Sequence, residues 1–418
     1  MNGRELRNVD VVLDVEHLGR QLMGTLRRQS ARGAEIYSFE FDAQWLERGD
    51  ALALDPDLLL APGRTYPPAN RSQFGIFMDS SPDRWGRTLM QRREALAAAE
   101  AKRPVRTLTE WDYLLGVHDQ SRLGALRFRA DEGSPFLDNS AVNAAPPLTS
   151  LRELQDAVRV LEEDDRPQGD ARIKAVLDQL LAPGSSLGGS RPKASVIDQH
   201  GHLCIAKFPS RQDTWDVGAW EAIAHRLATK AGIRVPPIQT LRLTPGGHTF
   251  ISSRFDRTAR GGRLAFVSAM TLLQRVDGDR DVSYLELVDL LQSRGAQTQS
   301  DCEELFRRVV FSICISNTDD HLRNHGFFVE ATGLVLSPAF DINPNPHKGH
   351  LSLAIDEADS TPSVEVACAA GPLYGLKKQR VAAIVREVRD AIATWRQEAD
   401  RLGVARREQD MMSVAFLE

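Results

Sequence analysis

ISNTDDHLRNHGFF, Ile315–Phe328, follows the apolar run Val309–Ile315 and is itself followed shortly by LVLSPAFDINP, Leu334–Pro344. Asp319 and Asn324 stand five positions apart at the end of the apolar run, and Asp341 comes after a short strand-like run. Phosphoryl transfer calls for such a set. It needs a carboxylate to orient a hydroxyl nucleophile and accept its proton, an amide oxygen to hold Mg²⁺, and a second carboxylate to bridge Mg²⁺ to the phosphates. A lone D-x-x-x-x-N pair arises by chance in many chains, so its weight depends on the segments around it.

The spacing from Asp319 to Asn324 matches the catalytic loop of protein kinases, and the DIN at Asp341 stands where those enzymes carry DFG. Asp320 is the alternative base, but only Asp319 has the five-residue spacing to Asn324. Upstream, HLCIAKF places Lys207 at the end of an alternating strand, the setting of a lysine that neutralises ATP phosphates. Glu221, in the next helical stretch, is its candidate acidic partner. Just before the lysine strand, SSLGGSRPKASV offers two glycines, Gly188 and Gly189, and a run of N–H donors that can cover phosphates. It is not a Walker A loop, because G-x-x-x-x-G-K-[ST] is absent. Phosphate loop, strand lysine, helix glutamate, catalytic aspartate and metal-binding Asn and Asp therefore follow the chain order of a two-lobed kinase.

Each piece alone has a plainer reading. Lys207 and Glu221 could be solvated charges at a strand end and on a helix face. In NTDD, Asn317, Thr318 or Asp319 could cap a helix. His321 and His325, four apart beside Asp319, suggest a metal site, but the H-E-x-x-H glutamate is missing and no third ligand stands at a familiar spacing, which disfavours a zinc hydrolase. His321 is then expected to brace the loop.

Away from this stretch, Val11 to about Phe41 alternates apolar and polar residues around turn glycines and predicts a small antiparallel sheet. DRWGRTLMQRREALAAAEAK, Asp83 to Lys102, predicts a helix. Arg129 to Ser150 is rich in Ser, Pro, Asn and Ala and reads as a connection. KASVID, HLCIAKF, IQTLRLT and HTFISSRFDR predict a second sheet, interrupted by one helix, DVGAWEAIAHRLATKAG, closed by Gly232. After Thr258, LFRRVVFSICIS and QRVAAIVREVRDAIATWRQEADRL show helical periodicity.

The 418 residues allow two or three domains. With 42% hydrophobic and 26% charged residues, 30 Gly and 21 Pro, collagen-like, disordered and coiled-coil classes are disfavoured. A net charge of −5 argues against extensive direct binding of nucleic acid. Cys204, Cys302, Cys314 and Cys368 form no C-x-x-C pair and read as reduced, mostly buried cysteines. No secretion-type apolar region opens the chain and no run approaches the length of a membrane span, so a cytoplasmic protein is expected.

Taken together, the segments resemble the HipA-type serine/threonine kinases of bacterial toxin–antitoxin systems. The likeness is carried by WLERGDALAL and FGIFMDSSPDRWGRTLM in the N-terminal region, by SSLGGSRPK, CIAKFPS and ISSRFDR, by ISNTDDHLRNHGFF and by LSPAFDINP. The resemblance implies ATP and Mg²⁺ as cofactors, Lys207 as the ATP-phosphate lysine, Asp319 as base, and Asn324 and Asp341 as Mg²⁺ ligands. It also places Ser186, Gly188, Gly189 and Lys193 in the nucleotide loop, with Glu221 supporting the lysine and Arg254 and Phe255 where the hinge meets adenine. A loop serine that the kinase phosphorylates on itself, ejecting the loop, corresponds to Ser186, with Ser185 adjacent. A phosphoserine there would add negative charge where ATP phosphates sit. The implied substrate is an aminoacyl-tRNA synthetase, and the implied partner is a small helix-turn-helix, HipB-like antitoxin that supplies the DNA contacts. Two departures bear on the target rather than on catalysis. The loop reads GGSRPK in place of a glutamate-containing GAQEK, and Ser-Pro-Asp-Arg-Trp-Gly marks a divergent N-terminal subgroup.

The expected fold is α+β and two-lobed, kinase-like. Residues 1–130 would form a β-rich N-terminal subdomain, 131–257 an ATP-binding N-lobe with the phosphate loop and lysine strand, and 258–418 an all-helical C-lobe with the catalytic loop. The first functional reading is a Mg·ATP-dependent serine/threonine protein kinase acting as a growth-inhibiting toxin. A catalytically weak co-repressor that holds an antitoxin on operator DNA is the alternative, and a small-molecule kinase on the same fold is a third. A cluster of like charges at Asp319 and Asp341 is costly to keep in a mere scaffold, which favours the enzyme.

Overall fold

A computed structural model of the chain describes residues 6–31, 34–140, 144–163, 177, 180, 189, 191–279, 281–347 and 349–417. The chain divides into two compact units, one comprising Met1–Arg211 with Asp256–Val267 and the other Gln212–Phe255 with Ser268–Glu418. The stretch 131–257 thus contributes to both units.

In the first unit, the alternation seen in the sequence becomes strands β1 (Asn8–Val15), β2 (Gly19–Ala31) and β3 (Ala34–Phe41), followed by the short β4 (Arg64–Thr65) and by β5 (Leu126–Arg129). They form one antiparallel sheet in the order β4-β3-β2-β1-β5, with a bulge between Val11 and Val12. Gly24 of β2 is required by close approach, since a Cβ there would lie 2.3 Å from the Glu40 carbonyl oxygen and 2.6 Å from the Phe39 ring. Phe39, Phe74, Phe77 and Phe128 pack edge-on and tilted beneath this sheet, with centroids 5.7–6.1 Å apart for the pairs that include Phe77.

Helix α1, Arg84–Glu100, starts at Asp83, whose Oδ1 accepts from the Gly86 N–H at 2.7 Å. Helix α2, Leu151–Glu163, buries Leu151, Leu154, Val158 and Leu161 on one stripe. Strands β6 (Lys193–Ile197) and β7 (Leu203–Lys207) form an antiparallel hairpin in which Lys193 lies opposite Lys207. Deep in the unit, the buried guanidinium of Arg122 donates to the carbonyls of Ser80, Leu114 and Val117 at 2.7–3.0 Å. Burial pushes that group down to about 10, still well above neutrality.

In the second unit, helix α3 (Val217–Lys230) is capped by Asp216 and ends as the sequence predicts. Gly232, at φ +77°, donates to the Thr229 carbonyl and Ile233 to that of Ala228, the paired bonds of a Schellman turn. Strands β8 (Ile238–Thr244) and β9 (Gly247–Ser253) form a hairpin. Helix α4, Tyr284–Arg294, begins with a Ser283/Glu286 capping box and is followed by the largely buried α5, Thr298–Cys314. A second hairpin, β10 (Gly326–Glu330) and β11 (Gly333–Leu336), precedes the C-terminal helices α6 (Lys378–Ile392), α7 (Trp395–Arg401) and α8 (Arg406–Met412). Trp395 stacks on Phe416 at 4.6 Å and meets Trp220 of α3 at 5.9 Å.

The α+β organisation is the expected one. The part expected to be all-helical nevertheless carries β10–β11, where Gly326 and Gly333 bound a short apolar run long enough for a strand but too short for a helix. Helix α2 lies where no helix is read from the sequence, whereas α4 falls inside the stretch expected to be helical. Cys204, Cys302 and Cys314 are buried and free, and Cys368 is half-buried and free. Among the described residues no helix is long and apolar enough to cross a membrane.

Candidate functional site

The loop after α5 is built by competition between two adjacent carboxylates for burial. Helix α5 stops where Ser316 turns to φ +52°, with the Asn317 N–H returning to the Ser312 carbonyl at 2.8 Å. The chain then exposes Asp319 and buries Asp320. Asp320 accepts from the Tyr284 hydroxyl at 2.7 Å and from Ser312 Oγ at 3.1 Å, and lies 3.0 Å from His325 Nε2. Burial opposes its ionisation, yet the neighbouring His325 imidazole and the bonds from Tyr284 and Ser312 hold it below the usual carboxylate range. Burial and the neighbouring Asp320 charge push the Tyr284 hydroxyl well up, which keeps it a donor.

Around this anchor, the Asp319 carbonyl accepts from the His321 N–H at 3.0 Å and from Asn324 Nδ2 at 3.0 Å. The Asn324 amide is therefore oriented, with its nitrogen committed to the loop. Asn324 closes a 3₁₀ turn, Leu322–Asn324, and is buried. Thr318 is held from both ends, by Asn345 Nδ2 on its hydroxyl at 2.6 Å and by Ser352 Oγ on its carbonyl at 2.8 Å.

Asp341 follows β11 in a left-handed conformation, φ +57°, which an aspartate adopts only at a cost. Its Oδ1 accepts from Asn343 Nδ2 at 3.1 Å, and Asn343 Oδ1 is buried without a hydrogen-bond partner. Next to it, Phe340 packs against Phe255 at 5.1 Å, and Phe255 also meets Phe328 of β10 edge-on at 6.2 Å. The second unit thus brings Asp319 and Asn324 into one hydrogen-bonded loop and links Phe255 to the residue preceding Asp341. Arg254 is buried at the end of β9, and Glu221 is buried in the second turn of α3. A buried Glu221 departs from the plain reading of a surface helix charge.

Three of the residues read from the sequence lie among the described residues of the first unit. Lys207 is half-buried at the end of β7. Gly189 adopts φ +95°, a conformation that suits glycine. Lys193 differs from the expectation of a phosphate ligand, because its ammonium is buried against Asp83 Oδ2 at 2.9 Å with both side chains at most 2% exposed. A desolvated ammonium settles on a desolvated carboxylate rather than on a solvated ligand. Ser185, Ser186 and Gly188 lie outside the described residues.

Two local readings are corrected. Among the described residues no helix is capped by the NTDD segment; the 3₁₀ turn that follows it has His321 at its cap position, with no side-chain capping bond. The histidine that braces the loop is His325, not His321, because His325 is the one that reaches Asp320. Nothing in the sequence marks Tyr284 and Ser312, the other partners of that carboxylate. Among the described residues no group of three His, Cys, Asp or Glu side chains could hold a metal on its own.

Comparison with known proteins bears on this arrangement. The family model for the HipA-like C-terminal domain matches residues 185–395, and that for the HipA N-terminal domain matches residues 13–110. Among solved structures, the chain is similar to HipA of the Shewanella oneidensis MR-1 toxin–antitoxin system, in its complex with HipB and operator DNA. That match has 17% identity and a TM-score of 0.67, covering 97% of this chain and 94% of that one. It is also matched, at 13% identity and a TM-score of 0.38, to the Helicobacter pylori proinflammatory kinase CtkA, over 55% of this chain and 91% of that one. No curated protein matches the sequence.

Proposed function

The chain belongs to the HipA family, and from that premise we propose that it is an ATP- and Mg²⁺-dependent serine/threonine protein kinase that acts as a growth-inhibiting toxin. The observation that carries this reading is the division of labour in the loop after α5. Asp320 is buried and fully partnered, whereas Asp319 is presented to solvent with its backbone pinned by Asn324. A scaffold has no use for an exposed carboxylate on so tightly held a loop; a proton acceptor for a hydroxyl nucleophile does.

The donor set fits Mg²⁺. The Asn324 amide commits its nitrogen to the Asp319 carbonyl and so leaves its oxygen as the donor atom for a cation, and Asp341 supplies a carboxylate beside the orphaned, buried Asn343 Oδ1. Mg²⁺ held by Asn324 and Asp341 would supply charge neutralisation at the nucleotide phosphates. Asp319 orients the substrate hydroxyl and takes its proton. Lys207 pairs with nucleotide phosphates, and Gly189 belongs to the loop that covers them. Phe255 offers its ring to the adenine and Arg254 its backbone. Ser186, or Ser185 beside it, is the site of self-phosphorylation that turns the enzyme off. Residues 131–257 then supply the ATP-binding segments and 258–418 the catalytic ones.

For partners, the proposal takes a HipB-like antitoxin, which makes the DNA contacts, and an aminoacyl-tRNA synthetase as the phosphorylated target. The Shewanella structure of HipA with HipB and operator DNA supports the first of these. The test is intact-mass and peptide mass spectrometry of the purified chain after incubation with Mg·ATP, beside Asp319→Asn. One added phosphate at Ser186 or Ser185 in the wild type alone supports the kinase. No phosphate in either, from protein shown to be unphosphorylated at the start, favours the co-repressor reading.

A further inference from the structure

The Ser-Pro-Asp-Arg-Trp-Gly segment, Ser81–Gly86, has no part in the proposed chemistry, yet the first unit places it against the hairpin that carries Lys207. Asp83 uses both carboxylate oxygens. Oδ1 caps α1 through the Gly86 N–H at 2.7 Å, and Oδ2 accepts from Lys193 Nζ at 2.9 Å. Trp85, two residues on, donates its indole N–H to the Lys193 carbonyl at 3.1 Å and its backbone N–H to the Gly189 carbonyl at 3.4 Å. Gly189 sits against the same ammonium, because a Cβ there would lie 3.2 Å from Lys193 Nζ. Lys193 is thus gripped at its side chain and at its backbone by residues about 110 positions away.

The position of Lys193 gives this grip a consequence. It is the first residue of β6 and stands directly opposite Lys207, the last residue of β7, so the two side chains leave the hairpin on the same face. Like charges directly opposite in an antiparallel pair repel. The Asp83 carboxylate cancels the Lys193 charge inside the protein, and Trp85 pins the strand end that sets the Lys207 register.

We infer that Asp83, Trp85 and Lys193 form a positioning clamp that holds Lys207 and the Gly189 end of the nucleotide loop in the geometry that binds nucleotide phosphates. The inference rests on the kinase reading and deepens it. It makes the N-terminal segment part of the support of the nucleotide site and reassigns Lys193 from phosphate ligand to strut. Neither Asp83 nor Trp85 touches substrate; both act through Lys193.

The test uses the full-length protein. Asp83→Asn keeps an oxygen to cap α1 but removes the charge that meets Lys193, and Trp85→Phe keeps the ring but removes the indole donor. For each variant, circular dichroism fixes a temperature at which the chain is fully folded. Calorimetry then gives the Mg·ATP dissociation constant, and phosphotransfer assays give KM for ATP and kcat. The expected result is a dissociation constant and KM raised about tenfold in Asp83→Asn and about threefold in Trp85→Phe, with kcat changed less than twofold. A core-stabilising role alone would lower the melting temperature and leave ATP affinity of the folded protein unchanged. Folded variants that bind Mg·ATP as tightly as the wild type, or more tightly, overturn the clamp and leave the kinase reading standing. A wild-type protein that binds no Mg·ATP overturns both.

Discussion

Asp320 and Asp83 are both buried carboxylates, and each steadies a stretch of backbone that carries proposed site residues. They recruit partners over different distances along the chain. Asp320, in the second unit, draws two of its partners from its own neighbourhood, Ser312 eight residues before it and His325 five after, with Tyr284 of α4 as the more distant third. Asp83, in the first unit, meets an ammonium 110 residues away. The local brace forms once the α5–β10 connection folds on itself, whereas the distant one exists only after the hairpin β6–β7 has docked. A loop that must present one carboxylate accurately is served by contacts that need little loop closure. A strand register that must be chosen among alternatives is served by a contact from outside the hairpin.

The largest expected effect separates presentation from support. Asp319→Asn should lower phosphotransfer by about 10³-fold, within the range for loss of a general base, and leave the melting temperature unchanged because the side chain is exposed. Loss of stability without loss of turnover would mean that Asp319, like Asp320, is a structural residue.

Next in size, Lys193→Met leaves the Asp83 carboxylate buried without its counter-charge and should cost about 3–5 kcal/mol in denaturant unfolding. Adding Asp83→Asn to it should recover part of that loss, because the remaining polar group is neutral. If the double variant is no more stable than the single one, the two sites are not coupled and the pair does not act as a unit.

On the local side, Tyr284→Phe removes one bond to an ionised acceptor and should destabilise by about 1.5–3 kcal/mol. The pH dependence sharpens this. The folded pKa of Asp320 lies below its unfolded value, so its contribution is fully present at neutral pH. It begins to be lost as pH falls below about 4 and is gone below the depressed folded value. Asp320→Asn should therefore flatten the acid limb of the stability curve, and an unchanged limb would show that the carboxylate gains nothing from its partners. The smallest effect is at Gly189→Ala, where φ +95° should cost about 1–3 kcal/mol, measured by the same unfolding experiment.

Much of the fold can be read from pattern alone. Alternation in Val9–Val15 and the Gly232 stop of α3 act within a few residues, so β1 and the end of α3 fall where they are expected. Helix α4 is less legible, although Ser283 and Glu286 form a capping box, because its short apolar stripe is bounded by polar turns on both sides. At the candidate site, the spacing of Asp319, Asn324 and Asp341 is legible because one continuous loop and hairpin carry all three. The bracing histidine is read wrongly, as His321, since choosing between two histidines four apart depends on which one faces Tyr284 and Asp320.

Residue order alone therefore sets the local features: strands, helix ends and the covalent spacing of the acidic and amide groups, each fixed by interactions within a turn or two of chain. Long-range packing selects which of two adjacent aspartates is buried, which histidine meets it, and the inward turn of Lys193 to Asp83. The reason is that desolvation is a property of everything packed around a side chain. A charge enters the interior only where a partner, often from a distant segment, is already in place to receive it.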